Sequence, residues 1–189
     1  MDWLKVFKEK GAFLEGHFLL SSGLHSPNYL QCALILQYPD LAEKIAKEIV
    51  EKISKDLKID VVVGPALGGI IIAYELARAL KVRGIFAERE EGKMTLRRGF
   101  SIKPGEKVLI CEDVVTTGGS ALEVANLIRE NGGEVVSFAC IVDRSGGKNI
   151  FDKPFYSLIQ LKLDTYKPEE CPLCREGIPL VKPGSRGLK

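Results

Sequence analysis

The sequence predicts an α/β protein with a twisted, mainly parallel β-sheet and helices on both faces. Short runs of apolar and β-branched residues alternate with longer segments of helical periodicity, which is typical of repeated strand–helix units. Two of the strands end in glycine-bearing turns, where an open α/β sheet binds its ligands. The 189 residues, 46% hydrophobic and 28% charged, suit a single globular domain with a sizeable core.

The N-terminal segment is expected to form a short helix followed by a small β-structure. Residues 2–10 have the apolar spacing of an amphipathic helix. A strand, a hydroxyl-rich loop and a second extended segment are then expected at 17–20, 21–27 and 28–34. The loop taken alone is equally typical of a surface hairpin.

The clearest helical pattern covers residues 39–57, where isoleucines and leucines recur at four-residue spacing. A buried strand at 59–64 then leads through the turn Gly64–Gly69 into a helix at 70–80. This turn suits an anion site, but close packing of the helix on the strand would also explain its glycines.

Four further strands and one helix complete the predicted sheet. The strands are expected at 83–90, 108–111, 135–142 and 155–163, and the helix ends at 131–133. The charged segment 91–98 lies between the first two of these strands. We expect the terminal segments, about 1–35 and 153–189, to form a small hood on a core of about 36–152, all within one domain.

The most informative stretch runs from Val108 to Ser120 and reads V-L-I-C-E-D-V-V-T-T-G-G-S. Its first four residues predict a buried parallel strand. Glu112 and Asp113 are expected at the carboxyl end of that strand, and Ser120 at the N-cap of the next helix. The stretch therefore predicts a polar site in the crevice beyond the strand ends.

The order of side chains in this stretch suits a sugar phosphate. Hydroxyls, backbone N–H groups and the helix dipole at 116–120 can bind a phosphate, and the glycines let the backbone approach it. The two carboxylates upstream can accept hydrogen bonds from vicinal sugar hydroxyls. An ordinary polar turn is the alternative, although the two commonest rival phosphate motifs, G-x-x-x-x-G-K-[ST] and G-x-G-x-x-G, do not occur in the chain.

This stretch resembles the phosphoribosyl-diphosphate (PRPP) signature of the type I phosphoribosyltransferases. The resemblance implies their fold, with the acidic pair on the ribose hydroxyls and the loop on the 5-phosphate. The implied PRPP-binding residues are Glu112, Asp113, Val114, Val115, Thr116, Thr117, Gly118, Gly119 and Ser120. Asp113 is also implied as a catalytic residue.

Three other segments resemble the branch of this family that uses orotate as the acceptor. The N-terminal F-L-L-S-S-G-L-H-S-P-N-Y resembles its base-pocket loop. The turn at 64–69 resembles its pyrophosphate loop, which implies roles for Ala66, Leu67 and Gly68, although a lysine is frequent at the last position. Residues 141–144 resemble the strand end whose arginine pairs with the base.

The resemblance implies that Thr116 and Arg144 contact orotate. The chemistry of the acceptor favours this independently, because a guanidinium matches the carboxylate of orotate in a bidentate pair. The alternative for Arg144 is a surface ion pair with Asp143 or Asp152.

The implied reaction transfers the 5-phosphoribosyl group from PRPP to orotate and releases pyrophosphate, with Mg²⁺ as the cofactor. The segment 87–99 resembles a flexible loop that closes over PRPP, partly across the interface of a homodimer. Its candidate catalytic cations are Arg89, Lys93 and Arg97. A solvated hairpin of mixed charge is the alternative for this segment.

Several classes of protein are disfavoured by the composition. The net charge of +2 gives no sign of nucleic-acid binding, and no apolar run reaches the ~18 residues of a membrane span. The N-terminus lacks the apolar core of a signal peptide, so the cytoplasm is the expected compartment. A transferase for another base and a regulator that senses PRPP without catalysis are the alternative functions, and the chain shows no additional DNA-binding segment.

No protein metal site is expected from the sequence. Cys171 and Cys174 form the only C-x-x-C pair among five cysteines. A tetrahedral zinc site needs four ligands, and the two histidines offer no obvious completion. We expect a structural pair without metal, with half of a zinc knuckle and a redox pair as the alternatives.

Overall fold

The structure is a computed structural model that describes residues 1–20, 22–148 and 150–183. The chain divides into a terminal unit, residues 1–35 and 162–189, and a sheet unit, residues 36–161. Residues 153–161, expected in the hood, belong to the sheet unit because they contain a strand of the main sheet.

The secondary structure alternates strands and helices through the middle of the chain. In order the elements are α1 (Trp3–Glu9), β1 (Phe13–Leu19), β2 (His25–Leu30), α2 (Ala33–Leu36), α3 (Pro39–Lys52), β3 (Val61–Pro65), α4 (Gly69–Leu80), β4 (Arg83–Glu90), β5 (Lys93–Thr95), β6 (Lys107–Val115), α5 (Gly119–Glu130), β7 (Glu134–Asp143), β8 (Phe155–Gln160) and α6 (Pro172–Arg175). A 3₁₀ turn at Pro168–Glu170 precedes α6.

The sheet unit contains a six-stranded sheet in the order β5-β4-β3-β6-β7-β8. All neighbouring pairs are parallel except β4 with β5. The chain passes from β3 through α4 to β4, toward the β5 edge of the sheet. It passes from β6 through α5 to β7, toward the β8 edge. The switch point of the topology therefore lies between β3 and β6, where open α/β sheets bind ligands.

The two faces of the sheet are covered by different helices because side chains alternate along each strand. Val61 and Val63 of β3 lie in the core cluster that α5 completes with Val124 and Ile128. A Cβ added at Gly64, on the opposite face, would lie 2.8 Å from Ala73 of α4. The predicted sheet with helices on both faces is thus confirmed.

The terminal unit is built on an antiparallel hairpin of β1 and β2. The C-terminal segment is hydrogen-bonded to both strands of this hairpin. Tyr166 forms a bridge with His25 of β2, and Val181 forms one with Phe18 of β1. The 3₁₀ turn and α6 lie in the chain between these two attachments.

Several element boundaries differ from those predicted. Helix α3 ends at Lys52 instead of 57, and the extended segment expected to 34 gives way to α2. Strand β6 continues to Val115, so the acidic pair lies inside the strand because β7 pairs with it along that length. Ser120 is not the N-cap, since Gly118 occupies that position. Within the described ranges, no helix is both long and apolar enough to cross a lipid bilayer.

Candidate active site

The candidate site lies where two strand–turn–helix units diverge. Strand β6 pairs with β3 only as far as Ile110, whereas it pairs with β7 to Val115. The last residues of β6 therefore have a neighbouring strand on one side only. The turn after β3 lies on the other side, because a Cβ added at Gly68 would lie 2.6 Å from Oδ2 of Asp113.

Asp113 is a half-buried carboxylate at the base of this crevice. Its Oδ1 accepts a hydrogen bond of 2.8 Å from the backbone N–H of Val114. Burial raises the pKa of Asp113, and hydrogen bonds with Val114 and the Glu112 side chain only partly oppose that rise. A ligand that brings hydroxyl donors or a cation to this carboxylate would favour its charged form.

The neighbouring Cys111 is not suited to act as a nucleophile. Complete burial raises the pKa of its thiol well above the usual value, and the charges of Glu112 and Asp113 add to that effect. The thiol therefore stays neutral and packs as a small apolar group.

The predicted phosphate cradle forms the N-terminus of α5. Thr116, Thr117 and Gly119 are exposed there, and Ser120 lies in the first turn of the helix. Gly118 has a φ of 76°, and a Cβ there would lie 2.9 Å from the Phe151 ring. This glycine is thus required by backbone conformation and packing. A Cβ at Gly119 would meet only Oγ1 of Thr117, at 3.7 Å, so Gly119 is not required by packing.

Arg144 and Thr116 lie beside each other at the ends of adjacent strands. The backbone N–H of Arg144 donates a 2.7 Å hydrogen bond to the carbonyl of Val115, the residue before Thr116. Asp143 accepts a hydrogen bond from the Ser145 N–H at 2.8 Å. The structure therefore brings together the two residues predicted to contact the acceptor base.

In the turn that joins β3 to α4, the two residues before Gly68 differ in exposure. Ala66 is half-buried and donates its N–H to the carbonyl of Ala87, whereas the Leu67 side chain is 69% exposed. The turn thus joins β3 to α4 with its middle facing outward.

The segment expected as a flexible loop begins in a hairpin of β4 and β5 and continues past the last residue of β5. Arg89 is in an ion pair with Glu123 at 2.7 Å, and Arg97 lies 3.3 Å from Glu88. Lys93, next to the turn, is exposed and takes part in no ion pair among the described residues. Of the three candidate cations, Lys93 is thus the one that a ligand can engage without breaking an ion pair.

The terminal unit contains a polar cluster that the sequence did not reveal. One ligand atom from each of His17, His25, Cys171 and Cys174 lies within 4.8 Å of the other three. The sequence offered no obvious way for the histidines to complete the C-x-x-C pair, but the hairpin and the C-terminal segment bring all four residues together. The C-x-x-C spacing was the only signal, since the contacts span about 150 residues of sequence.

Comparisons with known proteins identify the family of this chain. The family model described as "Phosphoribosyl transferase domain" matches residues 35–173. The chain therefore belongs to the phosphoribosyltransferase family. Two relatives of nearly equal length, from Carboxydothermus hydrogenoformans (59% identical) and Thermotoga maritima (54% identical), are orotate phosphoribosyltransferases, and in each the match covers 98% of both chains.

Solved structures lead to the same family. An orotate phosphoribosyltransferase from Aeropyrum pernix matches with a TM-score of 0.69 and 28% identity, over 84% of this chain and 93% of that one. An adenine phosphoribosyltransferase from Thermoanaerobacter pseudethanolicus shares the fold at a TM-score of 0.60 and 18% identity, over 71% of this chain and 88% of that one. The fold is thus common to enzymes that use different bases.

Proposed function

We propose that this chain transfers the 5-phosphoribosyl group of PRPP to orotate, giving orotidine 5′-monophosphate and pyrophosphate in pyrimidine biosynthesis. Nitrogen N1 of orotate forms a bond to the anomeric carbon as the bond from that carbon to pyrophosphate breaks. The near-full-length relatives at 54–59% identity carry this activity in their names.

One observation of the structure carries the assignment of the PRPP site. The acidic pair of β6 lies beyond the last residue of β6 that pairs with β3, and Asp113 of the pair lies against Gly68 in the turn that leads into α4. In the proposal, Glu112 and Asp113 hold the ribose hydroxyls and the N-terminus of α5 holds the 5-phosphate. The turn at Ala66–Gly68 then lies on the pyrophosphate side of the ribose.

The acceptor is assigned to the side of the crevice formed by β7. Arg144 offers a guanidinium to the orotate carboxylate. Thr116, whose hydroxyl is proposed to contact the base, directly follows Val115, and the carbonyl of Val115 accepts a hydrogen bond from the backbone N–H of Arg144. Orotate would thus be held between the end of β7 and the phosphate cradle. The contribution of the N-terminal loop to the base pocket stays a prediction.

The catalyst must mainly stabilise negative charge on the leaving pyrophosphate. This charge develops because the ribose resembles an oxocarbenium ion in the transition state and its bond to pyrophosphate is largely broken. Lys93 is the first candidate for a cation that meets this charge, since Arg89 and Arg97 are engaged by carboxylates. We propose that the β4–β5 hairpin moves over bound PRPP and excludes water.

Mg²⁺ is the proposed cofactor, and the donor set suits it. Glu112 and Asp113 supply hard carboxylate oxygens, and a cation near the half-buried Asp113 would favour its charged form. When bound with PRPP, Mg²⁺ neutralises charge on the pyrophosphate and orients it.

A homodimer is the proposed assembly, with the hairpin shared across the interface. Exposed apolar side chains of α4 and the preceding turn, Leu67, Ile71 and Tyr74, support such an interface. The cytoplasm remains the proposed compartment. Sedimentation of the purified chain should give twice the monomer mass, and Tyr74→Glu should shift it to the monomer.

The activity is tested by following the loss of orotate absorbance with purified protein, PRPP and Mg²⁺. Turnover that requires all three components is the expected result. Turnover with adenine or hypoxanthine instead would assign another base, and PRPP binding without turnover on any base would favour a regulator.

A further inference from the structure

We propose that His17, His25, Cys171 and Cys174 form a structural zinc site that fastens the C-terminal segment onto the β1–β2 hairpin. All four residues belong to the terminal unit. The proposed site uses none of the residues proposed for PRPP and goes beyond the proposed transferase function.

Four of the six distances between the ligand atoms lie within about 0.4 Å of the edges of a tetrahedron around one ion, and none of the six exceeds 4.8 Å. Nε2 of His17 lies 3.5 Å from Sγ of Cys171 and 3.7 Å from Sγ of Cys174. Nδ1 of His25 lies 3.3 Å from Sγ of Cys174 and 2.9 Å from Nε2 of His17. Zinc bonds of ordinary length separate sulfur from nitrogen by about 3.6 Å and two nitrogens by about 3.3 Å.

The hydrogen bonding of His17 leaves the correct nitrogen free for a metal. Its Nδ1 lies 2.7 Å from the carbonyl oxygen of Ile178, which can only accept, so Nδ1 carries the proton. Nε2 then presents a lone pair to the cluster. A backbone carbonyl that fixes the ring in this way is the usual second partner of a histidine that binds zinc.

A cluster held by hydrogen bonds alone would satisfy these atoms poorly. Three polar atoms, from His25, Cys171 and Cys174, converge on the one lone pair of His17 Nε2. That lone pair can accept only one good hydrogen bond. A cation at the centre would instead use a lone pair from each of the four ligand atoms.

The chemistry of the ligands and their burial select zinc. Two thiolates and two neutral imidazoles form a tetrahedral S₂N₂ set, which favours Zn²⁺. Binding releases one proton from each thiol, so the loaded site is neutral. Neutrality suits a site in which the two histidines and Cys171 are buried.

The fold explains what this ion would stabilise. Cys171 is the N-cap of α6 and Cys174 lies within this helix of four residues. The helix lies between the attachments of the C-terminal segment at Tyr166 and Val181. So short a helix cannot hold itself in water. The ion would join it to both strands of the hairpin, and His17 and His25 flank the turn that connects those strands.

The first test measures metal on the full chain, purified under reducing conditions without chelator. We expect about one zinc per chain by elemental analysis, and a lower melting temperature once a chelator removes it. Replacement by Co²⁺ should give the visible bands of tetrahedral cobalt and thiolate-to-cobalt charge transfer. A reduced chain that holds no metal and gives no such spectrum overturns the proposal.

The second test uses matched cysteine variants. Cys174→Ser alters an exposed side chain, and it should lose most of the zinc and about half of the thiolate–cobalt absorption. Cys32→Ala, a buried cysteine of the same unit outside the cluster, should keep both. Unchanged zinc in Cys174→Ser, or a metal-free disulfide between Cys171 and Cys174, would contradict the proposal. None of these measurements uses phosphoribosyl transfer, so they are independent of the proposed function.

Discussion

Substitution of Gly68 by alanine should damage the PRPP site without weakening the fold. The added Cβ would lie 2.6 Å from Oδ2 of Asp113, whereas ordinary contact begins at 3.4 Å. The carboxylate or the turn must therefore move by about 0.8 Å, and a displacement of about 1 Å can cost about 100-fold in rate. We expect kcat/KM for PRPP to fall by about 10- to 100-fold.

The backbone of Gly68 makes this a clean experiment. Its φ of −58° and ψ of −38° are accessible to alanine, and the position is exposed. The free energy of unfolding should therefore change by less than about 1 kcal/mol, or a few degrees in Tm. Lys44→Ala, on the exposed face of α3, is the control. A kcat/KM within twofold of that control would refute the contact between Gly68 and Asp113.

Three further predictions concern the charged groups of the site. Asp113→Asn should lower kcat/KM for PRPP at least about tenfold, because it weakens charged hydrogen bonds. It should also raise Tm at neutral pH: burial raises the pKa of Asp113, so the folded chain binds more protons and the free energy of unfolding falls as pH rises through that range. A lower Tm for this variant would contradict that assignment. Arg144→Lys should raise the KM for orotate about tenfold or more with little change for PRPP, because lysine cannot form the bidentate pair; equal effects on both substrates would argue against this role. Lys93→Ala should lower kcat without changing Tm, whereas Arg89→Ala should cost up to about 1 kcal/mol of stability because it loses the exposed ion pair with Glu123. A lower Tm for Lys93→Ala would show that Lys93 makes a stabilising contact in the folded chain, and it would contradict its role as a free cation.

The local pattern of the chain was sufficient for most of the sheet unit. Alternation and helical periodicity predicted β3, α4 and β4 to within two residues at either end. The boundaries that differed depend on partners elsewhere in the chain. Strand β6 extends through its two acidic residues because β7 pairs with it, and α3 ends at Lys52 although its apolar pattern continues.

Within the site, the sequence identified the residue types but not their contacts. The carboxylate pair and the hydroxyl–glycine turn were visible as a motif for a sugar phosphate. The contact between Gly68 and Asp113 joins a turn to a strand residue 45 positions away in the chain, and only the pairing of β3 with β6 brings them together. The ion pairs of Arg89 and Arg97, which leave Lys93 as the available cation, likewise depend on the packing of the hairpin.

The sequence by itself determined the α/β class, the family resemblance and the PRPP signature, because these depend on short-range periodicity and on residues that are contiguous in the chain. Only the tertiary structure showed that His17 and His25 meet Cys171 and Cys174. Metal ligands need to be close in space and not in sequence, so a C-x-x-C pair alone could not indicate its partners. The hairpin and the returning C-terminal segment provide that proximity.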